Sequence, residues 1–381
     1  MKKRVAKRTA LIVALLISVF MSTMAFQEVF CRPLHYYDEN RLAFFHKEPR
    51  DSMDVVVMGS SDVYAGWAPA VAYRETGITS FSYALSGGTV VNWKTMLDDI
   101  LEHQSPELII VEPFGACYDN KTLVSRESQV KKVFNTLPLS ISKIKRAKEI
   151  DAKSENVTTS DLLFPFISYH NLYGKYLENA KNYFAVKKYE HSPLKGMSNV
   201  TKISNPPVLY NATKDTETKE LDTISEEYLI DFLEYAKEKN VNLVFIRFPQ
   251  NFAQKYEEQH ISLLRANKIG KIVAKYGYPY LNCQQHWDEI GLDSYHDLYN
   301  RAHLNIYGHE KLTKFVAKYL SDELGIKPAK KRRDDIRENW NEALLYYDAY
   351  QKFSDECIKK DVLTEIGDSP DVFKRLEKYT D

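Results

Sequence analysis

Short runs of apolar, often β-branched residues constrain the fold more than any other feature of this sequence. Four strong runs and one weaker run occupy residues 53–58, 78–85, 108–111, 241–248 and 278–283. Such runs predict strands that are buried on both faces. Helical spacing of apolar residues lies between them or after them, at 89–103, 224–239, 262–276 and 304–324. This alternation predicts a mainly parallel sheet with helices on both sides, a three-layer α/β/α sandwich.

A basic prefix and an uncharged apolar run open the chain. Residues 9–26 carry no charge and follow the Lys- and Arg-rich segment 2–8. A helix of this length reaches about 27 Å, enough to cross the core of a bilayer. We therefore predict a cytoplasmic segment over 1–8, a transmembrane anchor over 9–26 and an exported remainder. A cleaved signal peptide is the alternative, because residues 23–25 offer a site of acceptable composition.

The remaining organisation follows from where the strand–helix alternation holds. It holds over 53–325, apart from residues 114–220, which we interpret as an insertion over the strand ends where open α/β sheets bind ligands. Residues 27–52 are predicted to be a spacer. Residues 326–381 are highly charged with helical spacing and are predicted to form a helical C-terminal extension that packs on the domain or binds a partner.

Charge and cysteine usage exclude several classes of function. Lys plus Arg equals Asp plus Glu at 52 each, so the chain has no overall field for binding nucleic acid. The cysteines form no CxxC pair and no zinc pattern, although an exported domain permits a disulfide. The histidines and acids between 286 and 309 match no metal-ligand spacing. The four cysteines of the chain are Cys31, Cys117, Cys283 and Cys357. Since neither the cysteines nor the histidines and acids match a ligand pattern, we expect neither a metal nor another cofactor.

Three loops at predicted strand ends carry side chains suited to nucleophilic catalysis. The turn at 58–62 presents Ser61 at the carboxyl edge of the sheet, where backbone N–H groups can stabilise an oxyanion. Gly87 and Gly88 follow the second strand and can direct an N–H group to the same place. The loop at 297–309 contains His303, which can reach across the sheet edge and accept the serine proton. Each motif alone is weak, but their order along the chain predicts an active site.

These motifs together resemble the SGNH/GDSL hydrolase superfamily over about residues 53–325. The matching residues are Gly59-Ser60-Ser61, Gly87-Gly88 and His303-Leu304-Asn305 with Gly308. The anchor and the Gly-Ser-Ser triplet resemble its membrane-bound branch, which includes the D-alanine transfer protein of teichoic-acid synthesis and polysaccharide O-acetyl-processing proteins. The resemblance implies a flavodoxin-like sandwich, Ser61 as nucleophile and His303 as general base. It also implies oxyanion donation by the amides of Ser61 and of Gly87 or Gly88.

The sequence departs from the superfamily at two places. The acid that usually stands three residues before the histidine is Asn300 here. Either Asp297 replaces that acid, or a Ser–His dyad is aided by Asn300 or by a backbone carbonyl. The Gly-x-Asn-Asp block after the third strand is also missing. Its side-chain oxyanion donor is therefore lost, or is replaced by Asn92 or Asn120.

We accordingly expect a membrane-anchored, extracytoplasmic serine esterase or acyltransferase. Its substrates would be O-acyl groups of a cell-surface polysaccharide or wall polymer, and it would work through an acyl-serine intermediate. The two departures leave an alternative, a weak or inactive protein of the same fold that binds glycans or scaffolds the assembly of an envelope polymer.

Overall fold

The computed structural model describes residues 2–32, 37–168, 174–204, 215–252, 256–330 and 332–380. Seven strands occur in these segments: β1 (Val55–Gly59), β2 (Ser80–Ala84), β3 (Leu108–Val111), β4 (Asn199–Val200), β5 (Leu243–Arg247), β6 (Tyr280–Asn282) and β7 (Glu365–Ile366). Five of them form a parallel sheet in the order β2-β1-β3-β5-β6. This confirms the predicted mixed α/β fold with a parallel sheet.

Helices make up most of the remaining described chain. The first nine are α1 (Lys2–Phe26), α2 (Tyr37–Phe45), α3 (Ser61–Gly66), α4 (Pro69–Thr76), α5 (Trp93–His103), α6 (Asn120–Ser125), α7 (Glu127–Thr136), α8 (Ile141–Asp151) and α9 (Thr159–Leu163). The others are α10 (Pro165–Ser168), α11 (Tyr176–Lys187), α12 (Thr223–Glu238), α13 (Glu258–Lys275), α14 (Trp287–Ile290), α15 (Ile306–Asp322), α16 (Asp334–Lys359) and α17 (Pro370–Leu376).

Alternate side chains of each central strand enter two different apolar clusters. Val56 packs in one cluster with Trp93 of α5 and Phe232 of α12. Val57 packs in the other with Val316 of α15. Because successive side chains of a strand point to opposite faces, a strand covered on both faces must be apolar throughout. Each fully buried valine or phenylalanine of this kind stabilises the fold by about 1.5–3 kcal/mol.

The apolar N-terminal helix is long enough to cross a membrane. The helical segment Lys2–Cys31 has a mean hydropathy of 2.3 in its most apolar window, and none of that window is buried against the protein. The segment joins the domain directly. The Phe30 carbonyl accepts a hydrogen bond from the Asn179 side chain at 3.0 Å, and the Phe26 ring lies edge-on to Tyr176.

Two regions outside the predicted sheet domain, 27–52 and 326–381, pack on it. Residues 27–52 contain α2, whose Leu42 and Phe45 are buried in the cluster of Trp93; this part of the chain is therefore not a simple spacer. Helix α16 places Trp340 and Tyr347 in the interior, so it packs on the domain over much of its length. The insertion at 114–220 supplies α6 to α11 and β4, and its residues 169–173 and 205–214 lie outside the described segments.

Candidate active site

The first element of the site is the turn between β1 and α3. Ser60 caps the helix, since its hydroxyl accepts a hydrogen bond from the Asp62 N–H at 3.4 Å. Gly59 is required by a close approach, because an added Cβ would lie 2.8 Å from the Cβ of Glu112. The helix therefore begins at Ser61. At this first helical position the N–H group has no intrahelical acceptor and stays available as a donor.

The second element is an imidazole that comes from far along the chain. The Nε2 atom of His303 lies 2.8 Å from the Oγ atom of Ser61. Its loop is closed by an antiparallel bridge between Leu298 and Leu304. The Tyr299 N–H also donates to the His303 carbonyl at 3.1 Å, and the Tyr299 ring stacks on the imidazole with an interplanar angle of 5°. These contacts hold the ring facing the serine.

Asn300 determines which nitrogen of the imidazole carries the proton. Its Oδ1 atom accepts hydrogen bonds from the N–H groups of Ala302 at 2.8 Å and His303 at 2.9 Å. Two backbone donors identify this atom as the amide oxygen rather than the amide nitrogen. The same oxygen lies 3.0 Å from His303 Nδ1. Because an oxygen without a proton only accepts, Nδ1 must donate, which leaves the Nε2 lone pair for the Ser61 hydroxyl.

Asp297, the other candidate for orienting His303, is bonded elsewhere. One carboxylate oxygen accepts from the Asp293 N–H at 2.7 Å and from Lys311 Nζ at 2.7 Å. The other lies 2.8 Å from the Nδ1 atom of His296. Of the two alternatives left open by the sequence, the hydrogen bonds therefore favour Asn300. Asp297 folds the loop instead, and its carboxylate is completely buried.

Burial keeps the imidazole of His303 neutral. The side chain is 18% exposed, and removal from water lowers its pKa below the ordinary value of 6.5. The carboxylate of Asp62, 3.8 Å from Nε2, opposes this effect by favouring the charged ring. The balance leaves an unprotonated base at neutral pH, close to a hydroxyl group.

A buried ionic cluster lies beneath the nucleophile. Arg247, at the end of β5, donates to Asp62 at 2.8 Å and to Glu112 at 3.3 Å. Gln250 donates to the same oxygen of Asp62 at 2.8 Å. Glu112 also accepts the Ser60 hydroxyl at 2.9 Å. Burial, followed by repulsion from Asp62, raises the pKa of Glu112 to about 8 although Arg247 and Ser60 act against the shift.

Sequence reasoning missed this cluster, although it left one signal. Residues 243–247 read as an apolar strand that ends in Arg247, an arginine with 1% exposure. A charged residue that ends a buried strand requires a carboxylate partner at the same edge of the sheet. Glu112 directly follows β3. Its side chain points into the cluster.

The two glycines after β2 have different roles, because the N–H of one closes the turn and the N–H of the other is left without an acceptor in the described part of the chain. Gly88 donates its N–H to the Leu85 carbonyl at 3.0 Å and so closes the turn. Gly87 has a left-handed φ of 60°, and its N–H has no acceptor within the described segments. The pair lies against the strand that leads to Ser61, since a Cβ on Gly88 would be 2.9 Å from the Gly59 carbonyl oxygen. Gly87 is therefore the better oxyanion donor of the two.

The two asparagines considered as replacement donors are engaged in other contacts. Asn92 is fully buried, and its amide donates to the Gln129 carbonyl at 3.1 Å. Asn120 donates to Thr223 at 3.1 Å and accepts from the Ile224 N–H at 3.1 Å, which ties it to α12. Neither hydrogen-bonds to the serine or the histidine of the site.

The His, Cys, Asp and Glu side chains of the described segments do not gather into a metal site. Within the described segments, no group of three or more His, Cys, Asp or Glu side chains is arranged to hold an ion. His309 is buried between Asn199 at 3.2 Å and the Tyr347 hydroxyl at 3.1 Å, and burial lowers its pKa to about 3. The four cysteines are buried free thiols.

Comparison of the sequence with protein-family models and with curated proteins finds no significant match. The geometry of the sheet edge is therefore the main observation from which a function is inferred.

Proposed function

We propose that this chain is a membrane-anchored serine esterase or acyltransferase with an SGNH-type three-layer sandwich. The observation that carries the proposal is the 2.8 Å contact between Ser61 Oγ and His303 Nε2. The Nδ1 side of the same ring is held by Asn300, in the tautomer that a general base requires. Together they supply a nucleophile, a base and a group that orients the base.

The reaction begins when the Ser61 oxygen attacks the carbonyl carbon of an ester. The hydroxyl proton passes to His303 Nε2, and the negative charge moves to the carbonyl oxygen. The N–H groups of Ser61 and Gly87 stabilise that oxyanion. His303 then protonates the departing alcohol, and an acyl-serine remains. Water or a sugar hydroxyl then attacks the acyl-serine as it gives its proton to His303, and His303 returns that proton to the departing Ser61 oxygen.

Orientation and charge stabilisation are divided between two residues in this mechanism. Asn300 fixes the ring but carries no charge with which to stabilise an imidazolium. Asp62 lies 3.8 Å from Nε2 and is held in place by Arg247 and Gln250. We assign to Asp62 part of the stabilisation that the acid of an ordinary triad supplies.

The N-terminal helix supports a location at a membrane surface. Its basic residues 2–8 favour the cytoplasmic side, an orientation in which the catalytic domain lies outside. The segment that continues the helix is bonded to α11, so no long linker separates the helix from the domain. An O-acyl group on a surface polysaccharide or wall polymer fits this location and the resemblance to the membrane-bound SGNH branch.

The test is ester turnover by the full-length chain in detergent. We expect release of acetate from an O-acetylated polysaccharide and from 4-nitrophenyl acetate. Ser61→Ala should reduce kcat/KM by about 10⁴-fold or more. Ser140→Ala is the matched control, because Ser140 also starts a helix, accepting from the Lys143 N–H at 3.1 Å. Equal turnover by Ser61→Ala and the wild-type chain would refute the proposal.

The same experiment separates the enzyme from the non-catalytic alternative. Turnover that requires Ser61 supports catalysis, and added polysaccharide alcohol then distinguishes transfer from hydrolysis by the product formed. Binding of the polysaccharide that survives Ser61→Ala and His303→Gln, with no turnover by the wild-type chain, supports a glycan-binding or scaffolding protein instead.

A further inference from the structure

Arg126 lies at the edge of the candidate site with no acidic partner. It sits at the junction of α6 and α7 in the insertion, and its guanidinium stacks on the Tyr118 ring at 4.2 Å from the centroid. Within the described segments it makes no ion pair, and its Nε is buried without an acceptor. A buried donor of this kind is costly unless a ligand satisfies it.

The guanidinium packs directly against the candidate oxyanion loop. A Cβ added to Gly87 would collide with Nη1 of Arg126 and would lie 3.8 Å from Nε2 of Gln129. The side-chain amide of Gln129 has no hydrogen-bond partner in the described part of the chain, and its Oε1 atom is buried. The Arg126 guanidinium and the Gln129 amide group therefore both lie against the loop that follows β2, with donors left for a ligand. Such a group of donors, one of them charged, is suited to an anion.

The surrounding charges do not neutralise Arg126. One carboxylate bonded to this loop is that of Asp38, which accepts the N–H of Ser86 at 3.1 Å. Asp38 is already bonded to Arg41 and Lys132, each at 2.9 Å. Its neighbour Glu39 is buried, which raises its pKa to about 7 and so weakens its negative charge. Within the described segments Arg126 therefore has no carboxylate in an ion pair with it.

We propose that Arg126, with Gln129, binds an anionic group of the substrate, a carboxylate or a phosphate, beside the ester that Ser61 attacks. The inference rests on the proposed function and narrows its substrate class to acylated polymers that carry anionic groups. Arg126 binds the substrate and takes no part in proton transfer.

The experiment measures binding separately from catalysis. The full-length Ser61→Ala chain in lipid nanodiscs is titrated calorimetrically with three acetate esters that differ in one substituent: methyl 4-acetoxybenzoate, 4-acetoxybenzoate and 4-acetoxyphenyl phosphate. We expect at least one of the two anionic esters to bind about tenfold or more tightly than the neutral ester. The tighter of the two identifies carboxylate or phosphate as the preferred group.

Variants of Arg126 then test the assignment. Arg126→Gln should lower the ratio of anionic to neutral affinity by about tenfold, and Arg126→Lys should lower it less because the charge remains. Arg50→Gln is the matched control. Arg50 precedes β1 at the opposite edge of the sheet and donates to the Glu102 carbonyl at 2.8 Å. Its substitution should leave the affinity ratio unchanged.

Equal affinity for all three esters, or a ratio that Arg126→Gln does not change, overturns the inference. If Arg126→Gln does not fold, the affinity ratio of the Ser61→Ala chain and the Arg126→Lys variant still decide the question. Absence of turnover with Ser61 intact would overturn the proposed function instead, and an anion preference would then stand as a binding site.

Discussion

Two histidines on one loop differ in the group that bonds their Nδ1 atoms. His296 lies 2.8 Å from a carboxylate oxygen of Asp297, and its side chain is 48% exposed. His303 lies 3.0 Å from the amide oxygen of Asn300, and its side chain is 18% exposed. The loop therefore contains a His–Asp pair of the kind expected in a triad, but that pair does not face Ser61.

Orienting a histidine and stabilising its protonated form are therefore separable tasks. An amide oxygen fixes the tautomer of a histidine as a carboxylate does, but it does not stabilise the protonated ring. His303 is oriented in this way and keeps a lowered pKa because of its burial. The variants below test whether this division between Asn300 and Asp62 governs the site.

The largest contrast should appear when each histidine is removed. His303→Gln should reduce kcat/KM for ester turnover by about 10⁴-fold or more, because the Nε2 atom of His303 is the base hydrogen-bonded to the Ser61 hydroxyl. His296→Gln removes the histidine that is paired with the carboxylate of Asp297. Because that histidine does not contact Ser61, turnover should be unaffected. Steady-state kinetics on 4-nitrophenyl acetate measures both, and a comparable loss in the two variants would contradict the assignment.

A smaller effect is expected from removing the cation that holds each carboxylate. Arg247→Met leaves Asp62 and Glu112 buried without their counterion and should lower the free energy of unfolding by about 3–5 kcal/mol. Lys311→Met removes the partner of Asp297, but Lys311 is 39% exposed, so a loss of about 1 kcal/mol or less is expected. Urea titrations in detergent measure both, and equal losses would argue against a buried cluster beneath Ser61.

Asn300→Asp should place a carboxylate beside the Nδ1 atom of His303, as Asp297 does for His296. A negative charge on Nδ1 favours the imidazolium, so the pKa of His303 should rise. The acidic limb of the pH profile of kcat/KM should then move upward by about one pH unit. In the wild-type chain that limb should lie below pH 6.5, because burial lowers the pKa of His303 and activity is lost only when the ring is protonated. An unchanged limb in the variant would show that residue 300 does not contact the ring.

The smallest effect on catalysis is expected from Asp297→Asn. This carboxylate contacts His296 and Lys311 and not His303. The acidic limb should therefore stay in place, while the loop loses its ion pair and melts at a lower temperature. A limb that moves by as much as in Asn300→Asp would make Asp297 the orienting acid after all.

The strands and the two principal site residues follow from local patterns. Each predicted apolar run formed a strand of the sheet, because a strand covered on both faces has to be apolar in sequence. The carboxyl ends of parallel strands meet at one edge, which makes a contact between Ser61 and His303 predictable across 242 residues.

The rest depends on contacts that local patterns do not encode. The choice between Asn300 and Asp297 was decided by backbone N–H groups that fold the loop around each side chain. Arg126 looks like an ordinary surface arginine until packing places it on Gly87, and Arg247 is marked only by its place at the end of an apolar strand. The mixed polarity of residues 27–52 predicts a spacer, whereas Arg41 of α2 is buried.

The most direct test of the central claim is to map the site and the pH dependence of covalent labelling. The full-length chain in detergent is treated with a fluorophosphonate, digested and analysed by mass spectrometry. We expect one adduct, on the peptide that contains Ser61. The labelling rate should fall below pH 6.5 as His303 becomes protonated, and labelling should be almost absent in His303→Gln. An adduct on another residue, or labelling of Ser61 at the same rate without His303, would contradict the account.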